Sequence, residues 1–306
     1  MTETFIRYYI YQIEPWSLAF LIQNVLEKLP EFNQWQWIPA DKFDYPTSRG
    51  YLPGSNDAEV EYTKRKCTAI IEHNNPAKVI GNSLIWHSDE LSPATLIDDF
   101  LTLCSIAQSK HIYVRGLEYL TPDGDLRIIQ RPIAPPLPFR EVIATANLCT
   151  FIFAALFRLR QPGWKDNTGF LPAIHWYSQA HRSFRTGMFP LEMSLYWIVL
   201  EVLALAYIQK YHLESTVKRK DERVRIFVSS MGCVNGAWGF LDDAISDWYA
   251  IRCASFHEGQ LPTWTPSKFQ QRWRQIGEFT SYILAALLQK QSLARSNQIG
   301  AILSGY

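Results

Sequence analysis

The sequence predicts an α+β chain of two domains, in which a mixed, mostly β N-terminal domain precedes an all-α helical bundle. Short strand-like segments separated by turn residues fill the first 130 residues. Residues 131–139 contain four prolines, and beyond Phe139 the apolar residues recur with helical spacing. A chain of 306 residues is long enough for two domains that each bury a core.

The N-terminal elements follow from alternation and turn residues. Residues 4–13, rich in Ile and Tyr, predict a first strand. A helix is predicted after Pro15, although an extended conformation is an open alternative there. Tyr45–Asn56, with two prolines and two glycines, predicts a loop. Two further strands are predicted at Glu59–Glu72 and Val79–Trp86.

The last part of this domain combines a helix with a hairpin. Ser92 is a capping residue followed by Pro93 in the first turn, which predicts a helix that ends near Ala107. Beyond it, two strand-like segments flank an Asp-Gly pair, the common two-residue signal for a hairpin. They are His111–Leu120 and Leu126–Gln130.

The prolines of residues 131–139 predict a stiff linker, so the predicted domains are 1–130 and 140–290, with 291–306 as a C-terminal tail. Glycine and proline interrupt the helical pattern of the second domain several times. The predicted helices lie near 140–159, 168–186, 190–212, 217–231, 239–258 and 266–290. Together they predict a helical bundle.

Charge and cysteine usage limit the class of protein. The net charge of +1 gives no overall basic field, so any nucleic-acid contact needs a local patch. The five cysteines form no CxxC pair, which predicts a reducing, cytoplasmic location without disulfides or a zinc site. The start of the chain lacks the pattern of a signal peptide, and the apolar helix Leu191–Ile208 carries Glu192 and Glu201. It is therefore predicted to be a buried helix and not a membrane span.

The candidate chemistry lies at the end of one apolar helix, where Arg252 is followed five residues later by His257. A guanidinium holds phosphate oxygens bidentately, and an imidazole moves protons near neutral pH. Five α-helical positions turn through about 140°, so the two side chains are not expected on one stripe, though both can flank one groove. A surface arginine and a half-buried histidine that end a core helix fit the same pattern.

Three segments of the helical half resemble the HEPN domains (higher eukaryotes and prokaryotes nucleotide-binding), and among them the ApeA-like branch. Tyr249–Gly259 is similar to the family's Arg-x4-6-His motif followed by glycine. Leu195–Ala204 resembles the apolar helix with an embedded glutamate, here Glu201, that precedes the motif. The segment around Tyr177 is similar to a helix of that branch, and the N-terminal layout agrees in outline.

The resemblance implies a metal-independent endoribonuclease that acts as a homodimer through its helical domain, in the setting of antiviral defence or as a toxin. Its chemistry is attack of a ribose 2′-hydroxyl on the adjacent phosphate. His257 is then the general acid or base, Arg252 stabilises the developing charge, and Glu201 orients the guanidinium. Tyr249 and Cys253 are supporting residues. A regulatory protein partner is a further expectation.

Basic residues at a predicted helix start are candidates for RNA phosphate contacts. The run also holds two acidic residues, and a solvated helix surface explains the same composition. Likewise, Glu201 can be a buried carboxylate in a structural ion pair. The candidate RNA-binding residues are Lys218, Arg219, Lys220, Arg223 and Arg225.

No cofactor is predicted, and the sequence has no phosphate-binding Gly-rich loop or GxSxG elbow, which argues against an NTPase or an α/β-hydrolase. No metal site is predicted in the N-terminal domain, because its histidines lack ligand spacing and a cysteine partner. The HEPN motif usually has a polar residue after the arginine, and Cys253 stands there instead. This departure favours the alternative function, a non-catalytic HEPN module that binds RNA or a protein partner as a dimeric scaffold.

Overall fold

Helices make up most of the described part of the chain. The computed structural model describes residues 5–11, 21, 23–29, 35–39, 69–74, 77–80, 83–86, 93–108, 112–120, 126–130, 143, 147–159, 169–183, 189–214, 217–234, 236–258 and 261–289. In the second half of the chain the α-helices are α2 (Leu148–Leu159), α3 (Phe170–Ser183), α4 (Phe189–Lys210), α5 (Lys220–Ser230), α6 (Leu241–Cys253) and α7 (Pro266–Gln289). A π-helical turn, Ala254–Glu258, continues α6.

The described residues of the first half form one long helix, α1 (Pro93–Gln108), and short strands. The strands are β1 (Phe5–Tyr11), β2 (Trp35–Pro39), β3 (Ala69–Asn74), β4 (Ala77–Ile80), β5 (Ser83–Trp86), β6 (Tyr113–Leu120) and β7 (Leu126–Gln130). Their backbones pair in the order β2-β3-β1-β6-β7, all antiparallel, and β4 pairs with β5 separately. The predicted hairpin corresponds to β6 and β7.

The predicted fold class, with its mostly β N-terminal domain, is wrong, because the structure is mainly helical and such a domain is not shown. The longest strand has 8 residues, whereas α1 alone has 16. Of the predicted strand Glu59–Glu72, residues 69–72 lie in β3, and residues 59–68 lie outside the described residues. The predicted single strand Val79–Trp86 is instead two strands, β4 and β5, that pair with each other. Strand propensity depends on the packing of each face, so alternation by itself does not define the strands. The predicted loop Tyr45–Asn56 lies outside the described residues.

The chain divides into two compact units whose segments interleave along the sequence. One unit comprises Met1–Ser105, His111–Pro136 and Thr145–Ile152, and the other comprises Ile106–Lys110, Leu137–Ala144 and Phe153–Tyr306. In the first unit, the fully buried Glu118 of β6 accepts a hydrogen bond of 2.6 Å from the Tyr9 hydroxyl of β1. The predicted linker at residues 131–139 stays a prediction.

Helix α4 is the central helix of the second unit. It contacts α3, α5, α6 and α7, and Trp197 and Leu200 on it are fully buried. A helix that is apolar on all sides is expected in such a position. Among the described residues α4 is also the one helix long and apolar enough to span a membrane, and 61% of its most apolar stretch is buried within the protein.

Local sequence signals explain where the helices around α4 begin and end. Pro266 occupies the first turn of α7, and the Thr265 hydroxyl accepts a hydrogen bond of 3.3 Å from the Lys268 amide, as an N-cap does. Gly232 follows α5 with a φ of 85°, a conformation that favours glycine. Gly169, with a φ of 63°, precedes α3 where an added Cβ would lie 2.7 Å from the Cβ of Ala206.

Candidate active site

Arg252 and His257 meet at the end of α6. The Nη1 atom of Arg252 lies 2.6 Å from Nε2 of His257. The helix changes to the π conformation at Ala254–Glu258, where hydrogen bonds join residues five apart. The π turn brings residues five apart closer in angle than an α-helix does, and the contact agrees with the expectation that both side chains flank one groove. The sequence spacing of five fits the local geometry.

The contact has one chemically consistent direction. A guanidinium has only donors, so Arg252 donates and the Nε2 atom of His257 accepts. The imidazole itself is exposed, whereas the Arg252 side chain is 15% exposed. The site therefore presents a solvent-accessible imidazole beside a largely buried guanidinium.

Glu201 of α4 supplies the carboxylate next to this pair. Its Oε2 atom lies 3.9 Å from Nε of Arg252 and accepts a hydrogen bond of 3.2 Å from the indole of Trp197. Its Oε1 atom lies 2.5 Å from Nζ of Lys220, the first residue of α5. One carboxylate thus faces two cations, and the surplus positive charge suits an anionic ligand such as a phosphate.

Tyr249 and Cys253 lie one turn apart on α6 and interact with each other. The hydrogen bond to the Cys253 sulfur raises the pKa of the Tyr249 hydroxyl, and partial burial raises it by a smaller amount. Such a bond raises the pKa when the hydroxyl is the donor. The Tyr249 ring also packs on Trp197, with 5.5 Å between ring centroids. Both residues therefore support the wall between α4 and α6.

Of the five candidate RNA-binding residues, Lys220 is the one whose side chain contacts Glu201 in the described structure. Arg219 donates two hydrogen bonds, of 3.1 and 2.9 Å, to Asp221, and Arg223 donates to the Val217 carbonyl. Arg225 contacts Asp242 and Ser246 of α6, and Lys218 is exposed. Arg219, Arg223 and Arg225 therefore have partners within the helical unit, and their role in RNA binding stays a prediction.

The structure gives Lys220 a contact that was not expected and adds Phe256, which was not among the candidate residues. Lys220 reaches Glu201 because α4 and α5 pack together, a long-range contact that no local pattern signals. Phe256 lies in the π turn, 47% exposed, with the Arg252 guanidinium carbon 5.9 Å from its ring centroid. The sequence signal that could have identified Phe256 is its position directly before His257.

Another cavity in this unit carries no comparable chemistry. It has a volume of about 460 Å³ and lies between the start of α4 and the start of α7. Its lining is mainly apolar: Phe189, Pro190, Leu261, Pro266, Phe269, Gln270 and Trp273. The described residues also contain no cluster of three His, Cys, Asp or Glu side chains suited to a metal ion. Arg252, His257, Glu201 and Lys220 therefore form the strongest candidate site.

Comparison of the chain with protein-family models, with curated proteins and with solved structures finds no match.

Proposed function

We propose that this protein is a metal-independent endoribonuclease of the HEPN type. The observation that carries the proposal is the 2.6 Å contact between Arg252 and His257 at an exposed helix end. A group that binds phosphate and a group that transfers protons thus lie within hydrogen-bonding distance of each other. Cleavage by a 2′-hydroxyl requires such a pair.

The reaction assigns one role to each residue. The ribose 2′-oxygen attacks its own phosphorus and loses its proton, while the bond to the 5′-oxygen breaks and that oxygen gains a proton. His257 serves one of these two transfers, and its Nε2 atom, which accepts a hydrogen bond from Arg252, suits the acceptance of the 2′ proton. Arg252 turns from His257 to the phosphate and stabilises its added charge. A 2′,3′-cyclic phosphate and a 5′-hydroxyl end remain.

Glu201 and Lys220 position this pair. The carboxylate of Glu201 lies near Nε of Arg252, so it limits the directions in which the guanidinium can point. Lys220 offsets the negative charge of Glu201 and adds a second cation for RNA. A second copy of the chain, joined through the helical domain, is proposed to supply the opposite wall of the cleft and a second histidine for the other proton transfer.

Cleavage of single-stranded RNA in EDTA tests the proposal. The wild type is expected to cut it, whereas Arg252→Ala and His257→Ala lose about 10²-fold or more of the rate, as removal of an acid–base or charge-stabilising group does. His212→Asn is the matched control, because His212 is exposed and Asn tolerates its φ of 55°. Equal rates in all four proteins would end the proposal.

The second candidate is a non-catalytic module that binds RNA or a protein as a dimeric scaffold. The observation in its favour is that Arg252 already contacts His257 and Glu201 and is only 15% exposed. RNA binding by the wild type without any product would support this function. Cleavage that appears only with an added partner protein would instead indicate a nuclease under regulation.

A further inference from the structure

Phe256 is an exposed aromatic residue beside the candidate site. It is 47% exposed, although phenylalanine is among the residue types most often buried. It occupies the π turn Ala254–Glu258, directly before His257. π turns are rare overall, but they are frequent at functional sites. The exposed ring is therefore available to a partner outside the helical unit.

The surroundings of Phe256 indicate the chemistry of that partner. The Arg252 guanidinium carbon lies 5.9 Å from the ring centroid, and the same guanidinium lies 2.6 Å from His257. A phosphate bound by Arg252 would therefore have its own nucleobase within reach of the phenyl ring. Aromatic side chains bind unpaired bases by stacking, with little dependence on base identity.

We propose that Phe256 is the stacking platform for a nucleobase next to the phosphate that Arg252 binds, an inference that rests on the proposed function. The base lies against the phenyl face while the phosphate lies against the guanidinium. This arrangement selects a single strand, because bases in a duplex are already stacked and paired. Phe256 is thereby a specificity-determining residue and not part of the proton transfer.

The test measures binding of a single-stranded oligonucleotide with 2′-O-methyl sugars, which cannot be cleaved by 2′-hydroxyl attack. Fluorescence anisotropy compares the full-length wild type with Phe256→Ala and Phe256→Trp. We expect about tenfold weaker binding for Phe256→Ala and near-wild-type binding for Phe256→Trp. On an abasic oligomer with the same number of phosphates, wild type and Phe256→Ala are expected to bind equally.

Phe157→Ala is the matched control, because Phe157 is a similarly exposed phenylalanine on α2, at 57%. Its binding is expected to equal that of the wild type. Light scattering establishes whether Phe256→Ala keeps the wild-type mass, and thermal unfolding whether it keeps the fold.

Three results would overturn the inference. They are absence of binding by the wild type, equal binding by wild type and Phe256→Ala, and an equal loss on the abasic oligomer. A drop in mass on Phe256→Ala would also overturn it and assign the ring to an interface between two copies. Failure of the proposed function is distinguishable, because it appears as absence of product from unmodified RNA whatever the oligomer shows.

Discussion

Two glutamates of the same helix, Glu192 and Glu201 of α4, show how surroundings determine the role of a carboxyl group. Each accepts a hydrogen bond from a tryptophan indole: Glu192 from Trp273 at 2.9 Å, and Glu201 from Trp197 at 3.2 Å. Glu192 is fully buried, and its other hydrogen bond, of 3.2 Å, comes from the Tyr196 hydroxyl. Glu201 is 20% exposed and has Lys220 and Arg252 beside it.

These surroundings make Glu192 a structural carboxyl group and place Glu201 at the candidate site. Burial raises the pKa of Glu192 from 4.5 to about 8, with its two hydrogen bonds opposing the rise. Glu192 therefore holds a proton at neutral pH and joins α4 to α7 without a charge. Glu201 lies between two cations, which is the arrangement that orients a guanidinium near a phosphate.

Replacement of Glu192 is expected to have the largest effect, which is a loss of folding stability. Glu192→Ala removes the acceptor of two buried donors and should lower the free energy of unfolding by about 3 kcal/mol. Glu201→Ala, at a partly exposed position, should lower it by about 1 kcal/mol or less. Urea denaturation of both variants measures the two losses in the free energy of unfolding. Equal losses would contradict the different roles of the two glutamates.

A pH dependence separates the two carboxyl groups further. Because the pKa of Glu192 is raised in the folded state, its contribution to stability is complete below about 4.5 and is lost as the pH rises towards about 8. The expected slope between these values is up to about 1.4 kcal/mol per pH unit. Urea denaturation across that range should show the slope in the wild type and a flatter profile in Glu192→Gln. An unchanged slope in that variant would contradict the assignment.

The rate of RNA cleavage, unlike stability, should depend on Glu201 and not on Glu192. Glu201→Gln keeps the shape and an acceptor for Trp197 but removes the charge that faces Arg252, so we expect about a tenfold lower rate of RNA cleavage with little change in stability. Glu192→Gln serves as the control and should retain the wild-type rate. Equal rates in Glu201→Gln and the wild type would show that Glu201 is a structural residue like Glu192.

The smallest expected effect concerns Lys220, the second cation of Glu201. Lys220→Gln should weaken RNA binding a few-fold and reduce the slope of log affinity against log salt by about one. Lys210→Gln is the control, since Lys210 is exposed at the end of α4 and contacts Tyr211. If Lys220→Gln keeps the wild-type slope of log affinity against log salt, Lys220 does not contact RNA.

Local patterns predicted the helices better than the sheet. The predicted helix 266–290 is α7, Pro266–Gln289, because Thr265, Pro266 and the apolar spacing all act within the segment itself. The predicted single strand Val79–Trp86, in contrast, is two strands, β4 and β5, that pair with each other. Strand pairing depends on distant partners, so alternation alone could not define it.

The candidate site was predictable as a set of residues but not as a geometry. Arg252, His257 and Glu201 stood out by residue type and position in the sequence. Their closeness depends on a π turn, which no residue preference announces, and on the packing of α4 against α5 and α6. The same packing determines that Lys220 reaches Glu201 while Arg225 contacts Asp242.

The ends of the RNA products depend on the chemistry proposed for Arg252 and His257. Mass spectrometry of RNA incubated in EDTA should detect 2′,3′-cyclic phosphate and 5′-hydroxyl ends with the wild type. It should detect neither above background with Arg252→Ala or His257→Ala. Absence of these ends with the wild type, or the same ends in equal amount with both variants, would contradict this chemistry.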